Sequence, residues 1–118
     1  MELTETQLDE IIVEAQKAAE VAAEKFFQEQ LGGVDRYGCG FAWVNIFKYN
    51  GKNIRGNSRL SRWLGKHRIS QDYRRIHNWW NPSKHGAQNV DTLEAGAQAA
   101  AKVLESYGFT AYAGSRLD

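Results

Sequence analysis

Residues 39–47 read Cys-Gly-Phe-Ala-Trp-Val-Asn-Ile-Phe, a run without an acid or a base. β-Branched and aromatic residues favour extended backbone, and an uncharged run of this length is typical of a central strand covered on both faces. Side chains alternate along a strand, so two sets face opposite ways. One set is Phe41, Trp43, Asn45 and Phe47, and the other is Ala42, Val44 and Ile46. We expect Phe41 and Trp43 to belong to the core.

The segment before this strand has the pattern of an amphipathic helix from Glu5 to Leu31. Thr4 followed by Gln7 predicts a capping box, and Gly32 with Gly33 predicts the end of the helix. Apolar residues recur at steps of three and four, and alanines fill the middle of the stripe. The stripe consists of Leu8, Ile11, Ile12, Ala15, Ala19, Ala22, Ala23, Phe26 and Phe27. We expect it to pack closely against a sheet or another helix, and a helix of this length is a candidate oligomer contact.

The segment that follows the central strand predicts a turn, a short helix and a second strand. Residues 49–52 (Tyr-Asn-Gly-Lys) indicate the turn. Asn57 or Ser58 can cap a helix that runs to about Lys66. Residues 73–80 predict the second strand, which ends at the proline that follows because proline cannot continue the ladder.

The last third of the chain predicts a helix and a final strand. Asp91 with a glutamate three residues later is a good N-terminal box, and Gly108 supplies the stop. Residues 109–113 predict the last strand. The fold class is therefore α+β: a long N-terminal amphipathic helix, a small sheet of about three strands, a short middle helix, and a C-terminal helix before the last strand. We expect one domain over residues 1–118, with an acidic helix at 1–33 and an α/β core at 37–118.

Composition excludes several classes of protein. A chain of 118 residues fits one domain, and the single cysteine, Cys39, excludes an internal disulfide or a cysteine-based zinc cage. No apolar run approaches the roughly 20 residues that cross a bilayer, and acids stand where a signal peptide would carry bases. We expect a cytoplasmic protein with no membrane contact, metal or cofactor.

Charge is divided unevenly along the chain, although the formal net charge is only +1. Residues 1–35 hold nine acids and two lysines, whereas residues 48–84 hold ten bases and one acid, Asp72. The ten bases are Lys48, Lys52, Arg55, Arg59, Arg62, Lys66, Arg68, Arg74, Arg75 and Lys84. The net charge therefore conceals a strongly basic segment.

The basic segment also carries aromatic residues, a combination suited to nucleic acid. Guanidinium groups make bidentate hydrogen bonds to phosphate, and aromatic rings offer platforms on which bases stack. Arg75, His77 and Trp79 alternate onto one face of the predicted second strand, and we expect Trp79 to provide stacking. The candidate ligand residues are Arg55, Arg59, Arg62, Lys66, Arg74, Arg75, His77, Trp79, Lys84 and Arg116.

We therefore predict a non-enzymatic protein that binds a phosphate-bearing ligand, either nucleic acid or a nucleotide-like small molecule, and that forms a homo-oligomer. If about five bases neutralise phosphates, affinity for duplex DNA falls with salt at a log-log slope of about −4.5. A pocket for one nucleotide gives a shallower slope. No zinc-finger spacing, RNA-recognition signature or helix-turn-helix indicates base-specific reading.

Three alternatives stay open. The acidic first helix can pair with the basic face, within the chain or between subunits, as a structural or interaction protein. A nucleotide-processing enzyme is the second alternative, although His67, His77 and His85 share no metal spacing and no catalytic motif, so we assign no catalytic residue. At the C-terminus, Ser115 and Arg116 either complete an anion site or belong to an exposed polar tail.

Four segments of the chain form a recognisable set: Cys-Gly-Phe-Ala-Trp-Val at 39–44, Trp-Asn-Pro at 80–82, Gln88 with Asp91, and Ala-Tyr-Ala-Gly-Ser-Arg-Leu-Asp at 111–118. In these segments the chain resembles small uncharacterised proteins of tailed bacteriophages and marine metagenomes. The resemblance covers roughly residues 37–118 and implies a phage-type origin, and with it a location in the host cytoplasm. It implies no activity and names no catalytic residue. By analogy, small phage proteins of this size are often associated with DNA or are oligomeric sponges for nucleotide signals.

Overall fold

The computed structural model describes residues 2–118, which form three helices and five strands. The elements in chain order are α1 (Glu5–Leu31), β1 (Gly40–Tyr49), β2 (Lys52–Asn53), α2 (Arg59–Lys66), β3 (Ser70–Gln71), β4 (His77–Trp80), α3 (Val90–Ser106) and β5 (Phe109–Leu117). The predicted α+β class is confirmed, with a long N-terminal helix and a C-terminal helix before the last strand. Two of the five strands are only two residues long, which is why the sequence indicated about three.

The sheet is antiparallel and built around β1. β5 pairs with β1 along its whole length, from Gly40 opposite Leu117 to Tyr49 opposite Phe109. On the other side β1 pairs with β4 and, through the turn at 50–51, with β2. β3 pairs with the outer side of β4. The prediction that residues 39–47 form the central strand is confirmed.

Both ends of α1 are formed by the capping residues that the sequence indicates. The Thr4 side chain accepts from the Gln7 amide at 3.1 Å, and the Gln7 side chain accepts from the Thr4 amide at 2.9 Å. Gly32 adopts a left-handed conformation (φ 63°) and closes the C-terminus. Both signals were predicted, because each depends on residues within a single helical turn.

One hydrophobic core joins the helices to one face of the sheet. α3 lies against β1 and β5, and α1 packs along α3. The buried strand residues are those of the second alternating set, Ala42, Val44 and Ile46, together with Trp79 from β4 and Ala111 from β5. The predicted close packing of the alanine stripe is confirmed: Ala15, Ala19 and Ala23 are fully buried.

Three predicted boundaries are wrong. β4 begins at His77 instead of residue 73, because residues 72–76 form a turn in which Arg75 has a φ of 65°. α3 is capped by Asn89 instead of Asp91, since the Asn89 side chain accepts from the Thr92 amide at 2.8 Å. β5 extends to Leu117 instead of ending at 113, because β1 pairs with it throughout.

A further correction concerns β1, which is covered on one face only. Phe41 is 40% exposed, and Trp43, Asn45 and Phe47 are half-buried, whereas the other alternating set is buried. Phe41 and Trp43 therefore lie outside the core. Among the described residues 2–118, no helix is both long enough and apolar enough to span a membrane.

Candidate functional site

The uncovered face of the sheet carries a patch of aromatic side chains. β1 contributes Phe41, Trp43 and Phe47, β4 contributes Trp80, and β5 contributes Tyr112, which lies opposite Asn45 in the ladder. Trp80 is 51% exposed and Tyr112 is 58% exposed. We call Phe41, Trp43, Phe47, Trp80 and Tyr112 the open aromatic face.

The rings of the open aromatic face touch one another in two groups. Trp80 lies 4.9 Å from Trp43 and 6.2 Å from Phe41, measured between ring centroids. Phe47 and Tyr112 lie 5.7 Å apart, with their planes at 64°. Edge and tilted contacts of this kind hold rings in place while leaving parts of their surfaces accessible to a ligand.

The position of Trp43 is fixed by two neighbours. Its indole Nε1 donates to the Asn45 Oδ1 at 3.1 Å. Its ring lies over Gly114 of β5, where a β-carbon would come within 2.7 Å of the ring atoms. Glycine at this position is therefore required by a close approach, and the two contacts fix the position of the indole.

Arg116 supplies charge beside Phe41 on the open aromatic face. The guanidinium carbon of Arg116 lies 5.4 Å from the centroid of the Phe41 ring, and Arg116 pairs with Phe41 in the ladder. Such a contact orients the cation beside the ring. Ser115 points to the other side, where its hydroxyl donates to Glu94, so it does not join Arg116 in one anion site. The tail is a strand as far as Leu117.

A basic cleft opens at one end of the face, between the β1–β2 hairpin and the β3–β4 turn. Its volume is about 740 Å³, and Phe47 lies in its wall. Four bases line the cleft and no carboxylate does: they are Lys48, Arg55, Arg74 and Arg75. We call this space the basic cleft. Because Phe47 belongs to both, the basic cleft and the open aromatic face are continuous.

Asp72 holds the turn that carries two of these arginines. Its carboxylate accepts from the amides of Arg74 (2.8 Å) and Ile76 (3.1 Å), and from the Arg74 guanidinium at 3.0 Å. Although burial acts to raise it, the Ile76 amide and the Arg74 groups lower the pKa of Asp72. Arg74 is thus committed to a carboxylate, whereas Lys48, Arg55 and Arg75 form no ion pair within residues 2–118.

The other predicted bases are scattered. Arg59 lies in a separate concavity beside Lys52. Arg62 donates to the Asn57 carbonyl at 3.4 Å, and Lys84 lies in the turn after β4. The predicted stripe of Arg59, Arg62 and Lys66 therefore does not join the basic cleft.

The acidic helix does pair with part of the basic segment. Lys66 Nζ lies 2.6 Å from Glu5, and the imidazoles of His67 and His85 lie 2.6 Å from Asp9 and 2.8 Å from Glu24. These contacts connect α1 to α2 and to the loop after β4. Of the ten bases in residues 48–84, the described chain pairs only Lys66 and Arg74 with carboxylates.

Two predicted ligand residues are buried. His77 is 1% exposed and Trp79 is 6% exposed, because both face the helices. Trp79 is opposite Val44 in the ladder, whereas Trp80 is opposite Trp43. The ring available for stacking is therefore Trp80, and the expectation that Trp79 stacks with a ligand is not compatible with its burial.

His77 forms a buried pair that does not reproduce a catalytic triad. Its Nε2 lies 2.8 Å from the Ser61 hydroxyl, and its Nδ1 has no partner in the described part of the chain. Burial lowers the pKa of His77, with Asp72 acting in the opposite direction. A nucleophilic serine needs a histidine oriented by a third group at the other nitrogen. The pair is better explained as packing between α2 and β4.

Sequence reasoning missed all five residues of the open aromatic face, and Lys48, as site residues; Phe41 and Trp43 were expected in the core. The alternation along β1 already separated the two faces, but only the docking of α3 decides which one is covered.

No family model, curated protein or solved structure matches this chain. Its function is therefore inferred from the chemistry of the open aromatic face and the basic cleft.

Proposed function

We propose that this protein binds single-stranded nucleic acid without catalysis, with bases stacked on the open aromatic face and phosphates held by Arg116 and the basic cleft. The proposal rests on one observation: five aromatic side chains are continuous with a cleft lined by four lysine and arginine side chains. Proteins that bind single strands combine these two elements, and stacking contributes about 1–3 kcal/mol per base.

The spacing of the aromatic side chains favours an extended strand. Residues two apart on β1 are separated by roughly 7 Å along the sheet. Trp43 and Phe47 are therefore roughly 13 Å apart, with Asn45 between them. Successive unstacked bases of an extended chain can occupy such positions, whereas the bases of a duplex are already stacked on each other.

The charges near the aromatic rings favour the same ligand. Arg116 lies on the uncovered face beside Phe41, and Lys48, Arg55 and Arg75 have no carboxylate partner in the described chain. With four such contacts, log affinity for a single strand is expected to fall with log salt at a slope of about −2.8. The slope of about −4.5 expected from the sequence assumed five phosphate contacts on duplex DNA.

A nucleotide-like small molecule is the second candidate ligand. The basic cleft has a volume of about 740 Å³, which lies within the usual range of about 300–1,000 Å³ for small-molecule sites. The ring of Phe47 can stack with a nucleobase, and the lysine and arginine side chains of the cleft can bind a phosphate. This candidate predicts tight binding that is insensitive to the length of an oligonucleotide.

One titration distinguishes the ligands. Fluorescein-labelled single strands of 6, 12 and 20 nucleotides, a 20-base-pair duplex and a set of cyclic nucleotides are titrated at 50 and 200 mM salt. The proposal expects single strands to bind more tightly than the duplex, with a salt slope near −2.8. Preferred binding of a cyclic nucleotide would support the second candidate. Binding of none of them would overturn the proposal.

A further inference from the structure

A second groove lies between the β1–β2 hairpin and the start of α2. It is made of two concavities of about 810 and 680 Å³, and both are lined by Tyr49, Lys52, Ser58 and Leu60. We call this space the hairpin groove. It shares no residue with the open aromatic face.

The hairpin groove and the basic cleft adjoin. Asn53, Ile54 and Arg55 line both spaces, so this segment is the boundary between them. Arg55 is exposed and forms no ion pair within residues 2–118. No carboxylate lines the basic cleft or the smaller concavity of the hairpin groove. A polyanion that leaves the basic cleft can therefore continue past Arg55 into the hairpin groove.

Lys52 and Arg59 supply positive charge in the hairpin groove. Both side chains are exposed, and neither forms an ion pair in the part of the chain that the structure describes. Glu2 also lines the larger concavity but pairs with neither of them. The groove thus keeps unpaired positive charge, and a concavity lined mainly by one sign of charge attracts ligands of the opposite sign.

The start of α2 adds backbone donors to the same groove. The Ser61 amide is capped by the Ser58 hydroxyl at 3.1 Å, whereas the amides of Arg59 and Leu60 donate to no acceptor within residues 2–118. The first turn of α2 contains no acid. Unpaired amides and the positive end of the helix dipole favour a phosphate here, in the same direction as the charge of Arg59.

Two aromatic side chains give the hairpin groove surfaces for a nucleobase. Tyr49 and Trp63 are half-buried, because each packs against the hydrophobic core and also lines the groove. The Tyr49 ring lies 4.7 Å from that of Phe109, measured between centroids, which helps to hold it in place. Rings held beside unpaired lysine and arginine side chains are the combination that binds single strands.

We propose that the hairpin groove is a second subsite for the same single strand, an inference that rests on the proposed function. The strand runs from the open aromatic face through the basic cleft and past Arg55 to Lys52, Arg59 and the Trp63 ring. A free nucleotide has the same chemistry, but the shared boundary with the basic cleft favours one continuous ligand. A long strand therefore fills both regions, whereas a short strand fills only one.

The dependence of the salt slope on strand length tests the second subsite. The four contacts of the proposed function give a log-log slope of about −2.8 at any length, and two further phosphate contacts steepen it to about −4.2 for a strand that fills both regions. Fluorescein-labelled oligothymidylates of 6 and 20 nucleotides are titrated at 50, 100 and 200 mM salt. The 20-mer is expected to show the steeper slope.

The outcomes of this titration separate the two proposals. A slope no steeper than about −2.8 at both lengths would overturn the second subsite and leave the proposed function intact. Absence of binding at both lengths would overturn both proposals. Capture of thymidine monophosphate by the hairpin groove, with a 20-mer slope near −2.8, would make the groove a site for a free nucleotide and would also overturn the second subsite.

Lys52→Glu with Arg59→Glu is the variant that removes the two added contacts. Both side chains are exposed, and an acid in the first turn of a helix is favourable, so the fold should be kept, as far-UV circular dichroism can verify. The 20-mer slope is expected to become less steep by about 1.4. Lys17→Glu with Lys102→Glu changes the net charge equally and should keep the steep slope. Equal slopes in the two double variants would overturn the second subsite.

A photochemical map locates the strand directly. A 20-mer that carries 5-iodouracil is irradiated in complex with the unaltered protein, and the cross-linked peptides are identified by mass spectrometry. Cross-links are expected at Tyr49 or Trp63 in addition to Trp80. Cross-links confined to the open aromatic face would overturn the second subsite while supporting the proposed function.

Discussion

The indole of Trp43 lies over Gly114, so close that a methyl group on residue 114 would come within 2.7 Å of the ring. Trp43 is on the central strand and Gly114 on the edge strand, and the two are paired directly in the ladder. The glycine therefore allows a tryptophan on the uncovered face to lie against the sheet. The shape of the open aromatic face depends on this pair.

Gly114→Ala is expected to displace the Trp43 ring and to destabilise the fold by about 1–3 kcal/mol, as overpacking usually does. Urea unfolding at pH 7, followed by far-UV circular dichroism, measures the loss. Gly86→Ala is the control, since a β-carbon there meets nothing within 4 Å. Equal stability of the two variants would contradict the described packing of Trp43.

Trp80→Ala is expected to weaken binding of a 12-nucleotide single strand by roughly 5- to 150-fold, the equivalent of one lost stacking contact of about 1–3 kcal/mol. Trp80→Phe should recover part of the affinity, because a smaller ring still stacks. Tyr37→Ala removes an aromatic side chain that is 72% exposed but lies outside the sheet, and should leave binding unchanged. Fluorescence anisotropy measures all three. Unaltered binding by Trp80→Ala would remove the open aromatic face from the ligand site.

Reversal of charge in the basic cleft is expected to weaken binding and to make it less dependent on salt. The double variant Lys48→Glu with Arg75→Glu removes two phosphate partners, so the log-log salt slope should become less steep by about 1.4. The matched control is Lys102→Glu with Lys17→Glu, which changes the net charge equally on α3 and α1, away from the cleft. If both double variants lose affinity equally, only the overall charge matters and the cleft is not the site.

Asp35 is expected to stabilise the start of α3 in a pH-dependent way. Its carboxylate accepts from the Asn89 side chain at 3.0 Å and from the amides of Gln88 and Asn89. These hydrogen bonds, that of the Asn89 side chain first, lower the pKa of Asp35. The folded pKa is below the unfolded value near 3.9, so the stabilisation is complete above about pH 4 and is lost as the pH falls through the lowered pKa.

Asp35→Asn should therefore lower the urea midpoint at pH 7 and flatten its decline between pH 4 and 2. Glu29→Gln, a carboxylate on the exposed side of α1, is the control. An unchanged midpoint in Asp35→Asn would show that the link between residues 35 and 89 does not stabilise the fold.

His77 is expected to make the fold less stable at mildly acidic pH. Burial lowers its pKa in the folded chain, despite the opposing effect of Asp72. Below the ordinary histidine value near 6.5 the unfolded chain therefore binds a proton that the folded chain does not, and stability falls as the pH falls. His77→Gln keeps a donor for Ser61 but does not titrate, so its unfolding should depend less on pH between 7.5 and 5.5. A proton NMR titration that gives the His77 imidazole a pKa above 6.5 would contradict this explanation.

The sequence predicts the parts of this fold that depend on neighbouring residues. The capping box of Thr4 and Gln7 and the stop at Gly32 are local, and both are confirmed. The cap of α3 was misplaced because the choice of Asn89 depends on Asp35, 54 residues away, which holds both its amide and its side chain. A tertiary contact of this kind leaves no local pattern.

The sequence indicates the residue types of the candidate site better than it indicates where those residues lie in the fold. The basic segment was recognised, and Arg55, Arg74 and Arg75 do meet in one cleft. They meet because a hairpin and a turn fold toward each other, which spacing along the chain does not encode. The sequence also does not show which of Trp79 and Trp80 is exposed. Alternation places them on opposite faces of the sheet, and Trp79 is buried because the helices pack on its face.

The pairing of β1 with β5 also constrains the order in which the chain can fold. The nearest partners in this ladder, Tyr49 and Phe109, are separated by about 60 residues, and the farthest, Gly40 and Leu117, by almost 80. Closing such long loops costs entropy before any contact compensates for it, and non-local pairing slows folding. During synthesis α1 and the β1–β2 hairpin must wait for residues 109–117 before the central strand has both neighbours. Until then, residues 40–47 of β1 expose an uncharged edge with which another chain can pair.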